Sequence, residues 1–388
     1  MPDTALDGLL VADFSRVLAG PYATMLLADL GADVVKVERP GGGDDTRAWG
    51  PPWSTGPGPA QATYFMSVNR NKRSVAWDLG QPDGLRQAQQ LVRRADVLVE
   101  NFKPGTFERL GLGYDDLRVD NPGLVYCSIT GFGHDAGRDL PGYDLLVQAV
   151  GGLMSMTGST PDEPVKVGVA LVDVITGLHA GLGILAALRH RDRTGHGQRV
   201  EVNLLSSLLS GLVNQSSGYV AGGYVPGIMG NRHPSIAPYE SYPTADKPFV
   251  VAVGNDRQFA SCAAVLGLAE LADDDRFRTN PDRVRHRDEL YQLMSERLLT
   301  RGADEWFTDL SAAGVPCGPI NDVAGAFALA ERLGLAPVRD VSGVPTVANP
   351  LTMSATPARY DRPPPRLGED TLAVAAELAS ASAPGGAV

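Results

Sequence analysis

Asp173 is the only acidic residue between Pro164 and His190, and it stands where an apolar segment gives way to helical spacing. A carboxylate so placed can cap a helix by accepting backbone hydrogen bonds, or it can lie partly buried as a covalent nucleophile. The run Asn69-Arg70-Asn71-Lys72-Arg73 sets three cations within four residues. That is enough positive charge to hold an anion, although a solvated charged face has the same pattern. Gly41-Gly42-Gly43 follows a strand-like stretch ending at Glu38. Those glycines could let backbone amides approach a phosphate, or could form a plain surface turn. Cys317, in Gly-Val-Pro-Cys-Gly, reads as a small buried hydrophobe.

Other chemistries lack their residues. The turn after the first strand-like run, Arg16-Val17-Leu18-Ala19-Gly20-Pro21, holds no Gly-x-Gly-x-x-Gly, and the chain has no Walker sequence and no Gly-x-Ser-x-Gly elbow. The six histidines form no His-x-x-x-His pair, and Cys127, Cys262 and Cys317 are far apart. Neither a metal site nor a disulfide framework is indicated. Thirty-four basic against forty-five acidic side chains give a net charge of -11. Such a surface repels nucleic acid at long range, while a local basic cluster can still hold a small anion. Residues 168–188 are apolar and long enough to span a bilayer, but they contain Asp173 and His179. A mid-bilayer Asp costs about 2.5 to 3.5 kcal/mol, so no membrane association is expected. The first residues show no basic segment followed by an apolar one, and a cytoplasmic protein is expected.

A chain of 388 residues with 43% apolar and 20% charged side chains suits about two domains. Residues 9–14, 33–38, 73–77, 96–100, 124–129 and 197–204 read as strands. Helical spacing runs through 22–30, 82–94, 173–190 and 205–220. This alternation argues a parallel sheet with helices on its faces and ligands at its strand ends. After a turn-rich segment at 222–238, a second set of elements begins: a strand at 249–253 and helices at 258–266, 287–299 and 303–313. The final stretch, with Pro345, Pro350, Pro357 and Pro363-Pro364-Pro365, is too proline-rich for a new core and is expected to wrap the first domain.

Several segments, in order, resemble the family III CoA-transferases over nearly the whole length. They are Asp13-Phe14-Ser15-Arg16-Val17-Leu18-Ala19-Gly20-Pro21, Gly31-Ala32-Asp33-Val34-Val35-Lys36-Val37-Glu38, Asn71-Lys72-Arg73-Ser74, Val99-Glu100-Asn101-Phe102, Gly168-Val169-Ala170-Leu171-Val172-Asp173 and Gly314-Val315-Pro316-Cys317-Gly318-Pro319-Ile320. The resemblance implies an α/β fold. A Rossmann-like large domain with a parallel sheet would take residues 1–195 and 350–388, and a smaller α/β domain residues 226–325. Linkers would lie at 196–225 and 326–349, and two chains would interlock as a homodimer. The runs at 67–73 and 203–207 look most like the branch that moves CoA between dicarboxylates. The formyl-CoA branch places Gln where Leu18 stands, and the racemase branch places His where Tyr143 stands.

By this resemblance Asp173 attacks the thioester of a donor such as succinyl-CoA. A mixed anhydride and then an aspartyl-CoA thioester carry CoA to an acceptor such as glutarate. CoA is a substrate, and no permanently bound cofactor or metal is implied. Val17, Leu18, Ala19, Arg39, Trp77, Leu79, Asn101, Phe102, Arg109 and Tyr143 are implied to line the CoA groove. Arg70 is the first candidate for the acceptor's distal carboxylate and Arg283 the second, with residues 227–231 as a loop that keeps water out. The alternatives are a 2-methylacyl-CoA racemase and a catalytically silent CoA-binding protein of the same fold.

Overall fold

The computed structural model of the chain describes residues 4–55 and 58–380. One sheet holds β1 (Leu10–Asp13), β2 (Asp33–Glu38), β3 (Lys72–Ala76), β4 (Val97–Glu100), β5 (Val125–Thr130) and β6 (Arg199–Asn203). All its pairings are parallel, and the order across it is β3-β2-β1-β4-β5-β6. Chain order reverses between β1 and β4, in register from Val11 on Val97 to Asp13 on Val99. The carboxyl ends at such a reversal are where open α/β sheets bind ligands. Every residue of β4 and β5 is buried, which is why these strands read as apolar runs rather than as alternating patterns.

Helices cover both faces. Ala19–Asp29 and the long helix Leu171–Thr194 bury Ala23, Leu27, Val172, Ala180 and Ile184 with Val34, Val99 and Ile129 of the sheet. A Cβ on Gly177 would lie 2.6 Å from the Ala19 carbonyl oxygen, so glycine permits the close approach of these helices. Leu171–Thr194 is the one described helix long and apolar enough to cross a membrane, and its apolar character is in part that of a core element. The other face buries Phe14, Val35, Val75, Leu91, Leu98 and Phe107 with Val374 and Leu378 of the helix Thr371–Ser380.

Two compact units result. One comprises residues up to Leu153, Val167–Tyr224 and Ala336 onward, and the other Met154–Lys166 and Val225–Leu335. Residues 196–225, expected as a linker, supply β6 and the helices Leu204–Gly211 and Asn214–Gly222. Val213, left-handed at φ 44°, interrupts the single helix expected over 205–220. The proline-rich end returns to β3, where Arg362 C=O accepts from Asn71 N–H and Asp370 accepts from Ser74 N–H. No proline lies between Pro365 and Ser380, and the apolar residues there form a helix that the proline count obscures.

The second unit has its own antiparallel sheet, β7 (Tyr239–Tyr242), β8 (Phe249–Ala252) and β9 (Cys317–Pro319), in that order. Helices Asp256–Leu266, Arg287–Leu298 and Ala303–Ala312 bury Phe259, Cys262, Leu290 and Trp306 with Phe249 and Val251. Cys317 pairs with Val251 and opens the edge strand, where it is half-buried rather than the fully buried hydrophobe expected.

Candidate active site

At the reversal point, Asn101 ties the two strand ends together. Its side chain accepts from Arg16 N–H at 2.9 Å and donates to Arg16 C=O at 2.7 Å. Val17 has φ 71°, a left-handed conformation that strains a β-branched residue. Its N–H is shared between both carboxylate oxygens of Asp44, each at 3.3 Å. Asp44 lies 2.9 Å from the buried Lys36 ammonium, which also donates to Ser15 C=O at 2.8 Å. Burial alone would push the Asp44 carboxyl up, but Lys36 and the Thr46 donors outweigh it and hold it at about 2. A buried ion pair thus fixes a strained turn, and the turn presents Val17, Leu18 and Ala19 to a cavity of about 490 Å³.

The other walls of the cavity are residues 101–104, 129–133 and 137–143, Leu204 and the first turn of the long helix. Asp173, the third residue of that helix, faces the cavity. It is not the cap. Asp144 Oδ1 accepts from the N–H groups of Val172 and Asp173 at 2.8 and 3.2 Å, and its Oδ2 accepts from Gln148 at 2.6 Å. Asp144 therefore satisfies the orphan donors of the helix start, and the Asp173 carboxylate is left facing the cavity. Burial, reinforced by the Asp144 charge, pushes the Asp173 carboxyl up to about 7. Burial together with Asp173, Asp144 and Asp44 pushes the Tyr64 hydroxyl up to about 12. A carboxylate with raised basicity and little solvation is suited to nucleophilic attack. Arg16, Lys103 and Arg138 bring positive charge to the same cavity, with Asp45 and Asp139 beside them. The Arg16 guanidinium lies 4.7 Å over the Phe102 ring, and its buried Nε has no partner. Among the described residues, no three His, Cys, Asp or Glu side chains are placed to hold a metal.

A family model for CoA-transferase family III matches residues 6–371. The chain belongs to this family. It is 45% identical to the succinate–glutarate CoA-transferase of Agrobacterium fabrum, over 96% of this chain and 95% of that one. It is 41% identical to the succinyl-CoA:glutarate CoA-transferase of Homo sapiens, over 96% of this chain and 86% of that one. A CAIB/BAIF family protein from Brucella suis shares its fold with a TM-score of 0.88 at 44% identity, over 97% of this chain and 100% of that one.

In this family III CoA-transferase, Val17, Leu18, Ala19, Asn101, Phe102, Tyr143 and Asp173 all line the one cavity. Four residues expected in the groove do not. Trp77 is buried in the core with Val37 and Val75, and Leu79 packs on that cluster. Arg39 is exposed and pairs with Asp45 at 2.5 Å, and Arg109 donates to Thr106 on its own helix. The turn at Gly41–Gly43 also lies outside the cavity lining, and residues 227–231 belong to the second unit.

Both arginines expected to read the acceptor are committed elsewhere. Arg70 grips Asp29 through Nε at 2.9 Å and Nη2 at 2.5 Å, while Nη1 donates to Thr346. Lys72 donates to Asp13, Pro21 C=O and Asn69. The run at 69–73 is therefore an internal brace and not an anion site. Arg283 is fully buried in the second unit, where it donates to the carbonyls of Ala237, Phe277 and Arg278 and to Asp256. Neither arginine has a nitrogen left for an acceptor. The cations that do face the cavity, Arg16, Lys103 and Arg138, are scattered singly along the chain, so no spacing marks them. Asp144 had one signal, a lone acid opening an apolar helical stretch at 144–150.

Proposed function

We propose that this CoA-transferase moves CoA from succinyl-CoA to a dicarboxylate such as glutarate, with Asp173 as the covalent nucleophile. The observation that carries this reading is the desolvated Asp173 carboxylate facing the reversal-point cavity. The names of the relatives supply the donor and acceptor. Asp173 attacks the thioester carbon, the C–S bond breaks, and an aspartyl-succinyl anhydride and CoA thiolate result. The thiolate attacks the aspartyl carbonyl, releasing succinate and leaving an aspartyl-CoA thioester. Glutarate attacks that thioester to form a second anhydride and thiolate. The thiolate then takes the glutaryl carbonyl, and Asp173 is restored. No step transfers a proton, so no general base is needed. Arg16, Lys103 and Arg138 face the phosphates of CoA.

The chain works as a homodimer in this reading. The long helix exposes Leu178 and Leu182, the latter at 67%, and the residues after β6 expose Val213, Tyr219 and Val220, the last at 82%. An apolar surface of this extent suits a second copy of the chain. The free thiols Cys127, Cys262 and Cys317 suit the cytoplasm.

The test is incubation with succinyl-CoA and a panel of acids, read by mass spectrometry. Glutaryl-CoA and free succinate are expected, with a CoA adduct on the peptide that contains Asp173. Transfer to monocarboxylates alone would overturn the acceptor class, and undiminished transfer by Asp173→Ala would overturn the nucleophile.

A further inference from the structure

Across β4, β5 and β6 runs a chain of polar side chains that the transfer chemistry does not use. Arg199 Nη2 lies 3.3 Å from His134 Nδ1, and His134 Nε2 lies 3.2 Å from Ser128 Oγ. Ser128 Oγ hydrogen-bonds Glu100 Oε1, and Glu100 Oε2 accepts from Phe102 N–H at 2.8 Å. Arginine is only ever a donor, so its N–H at Nδ1 places the imidazole proton on Nε2. Nε2–H then donates to Ser128, whose hydroxyl is left to donate to Glu100. Every bond runs toward a carboxylate that receives two hydrogens and gives none. The same direction excludes a serine nucleophile, because an imidazole that donates to Ser128 cannot take its proton.

The chain meets the cavity at two places. Phe102, whose N–H ends on Glu100, is a cavity wall that carries Arg16 on its ring. His134 stands in the 131–143 loop, whose base is closed by Gly131 against Gly142; a Cβ on Gly131 would lie 2.6 Å from the Gly142 Cα. We infer that Glu100, Ser128 and His134 are positioning residues that set the CoA wall of the cavity, through Phe102 and this loop, and do so only while Glu100 is ionised and His134 neutral. The inference rests on the cavity being the CoA site.

Burial holds the Glu100 carboxyl up at about 7 against the Ser128 and Phe102 donors, with Glu108 also raising it and Arg199 lowering it. Its neighbours on β5, Tyr126 and Cys127, are pushed up by burial and stay neutral. Burial, with Arg199 and Arg138, holds the His134 ring down against Glu201 and Glu108. As pH falls through about 7, the new proton occupies a Glu100 oxygen that now accepts, and one donor loses its partner. At lower pH a charged His134 would face Arg199. Both events break the chain. The stability linkage has the opposite sign: a carboxyl raised above its unfolded value stabilises the fold at low pH, and that stability is lost as pH rises through about 7. The arrangement that sets the wall is therefore the less stable one.

CoA binding by calorimetry from about pH 6 to 9, in an Asp173→Asn background that silences the other group near 7, tests this. The CoA dissociation constant should rise roughly 2- to 10-fold as pH falls through about 7. Adding Glu100→Gln should leave the weak value at every pH while raising resistance to urea at about pH 8. Ser128→Ala should also flatten the profile, and nitrogen-15 shifts should place the His134 proton on Nε2. An unchanged pH midpoint in Glu100→Gln, or an Nδ1–H tautomer, would overturn the inference. Failure of the protein to bind CoA at any pH would instead overturn the CoA reading of the cavity.

Discussion

Two sets of buried carboxylates in the first unit behave in opposite ways. Asp13 and Asp44 are deeply buried, yet Lys72 and Lys36 stand beside them and hold both carboxyls below the usual range. Asp173 has no cation beside it and has Asp144 for a neighbour, and its carboxyl is pushed up to about 7. Burial pushes all three carboxyls up, and the countercharge separates the two sets. Paired acids hold the turn at residues 13–18, where rigidity is wanted. The unpaired acid is the one left free to react.

The comparison breaks most severely at Asp173. Asp173→Ala should lower kcat on the order of 10⁴-fold or more while CoA affinity changes little, measured by transfer assay beside calorimetry. On the paired side, Lys36→Met leaves Asp44 buried without its cation and should cost about 3 to 5 kcal/mol in urea unfolding. Adding Asp44→Leu should recover part of that loss, and a purely additive double variant would show that the pair is not coupled. Arg138→Ala should raise KM for succinyl-CoA by about 10-fold or less, more at low salt than at high salt, with kcat unchanged. A change confined to kcat would place Arg138 at the reacting atoms instead.

The smallest effect sharpens the contrast. Asp144→Asn keeps an oxygen to cap Val172 but removes the like charge beside Asp173. The nucleophile must be ionised, so activity falls as pH drops through its pKa, at about 7. Without Asp144 that pKa should move toward the ordinary carboxylate range, and kcat/KM should persist to lower pH. An acid limb that stays in place assigns the limb to another group, with Glu100 the first to examine.

Much of this is legible along the chain. β2 occupies the residues whose apolar run predicts it, and Asp173 stands out as the sole acid in its segment. Strand and helix periods are local properties, so a sequence displays them. The matched segments of the family, which follow one another from residue 13 to residue 320, carry the reaction class in the same way. What the side chains do with their charge is decided elsewhere. Arg70 and Lys72 look like an anion site until Asp29 and Asp13, 41 and 59 residues away, arrive to occupy them. Asn349 reaches the same Asp29 across 320 residues. The cap that frees Asp173 comes from Asp144, 29 positions back, and the cavity's cations come singly from three segments. A charge finds its partner by distance in space, which only the packing of the sheet and its helices sets; the period of the chain carries no record of it.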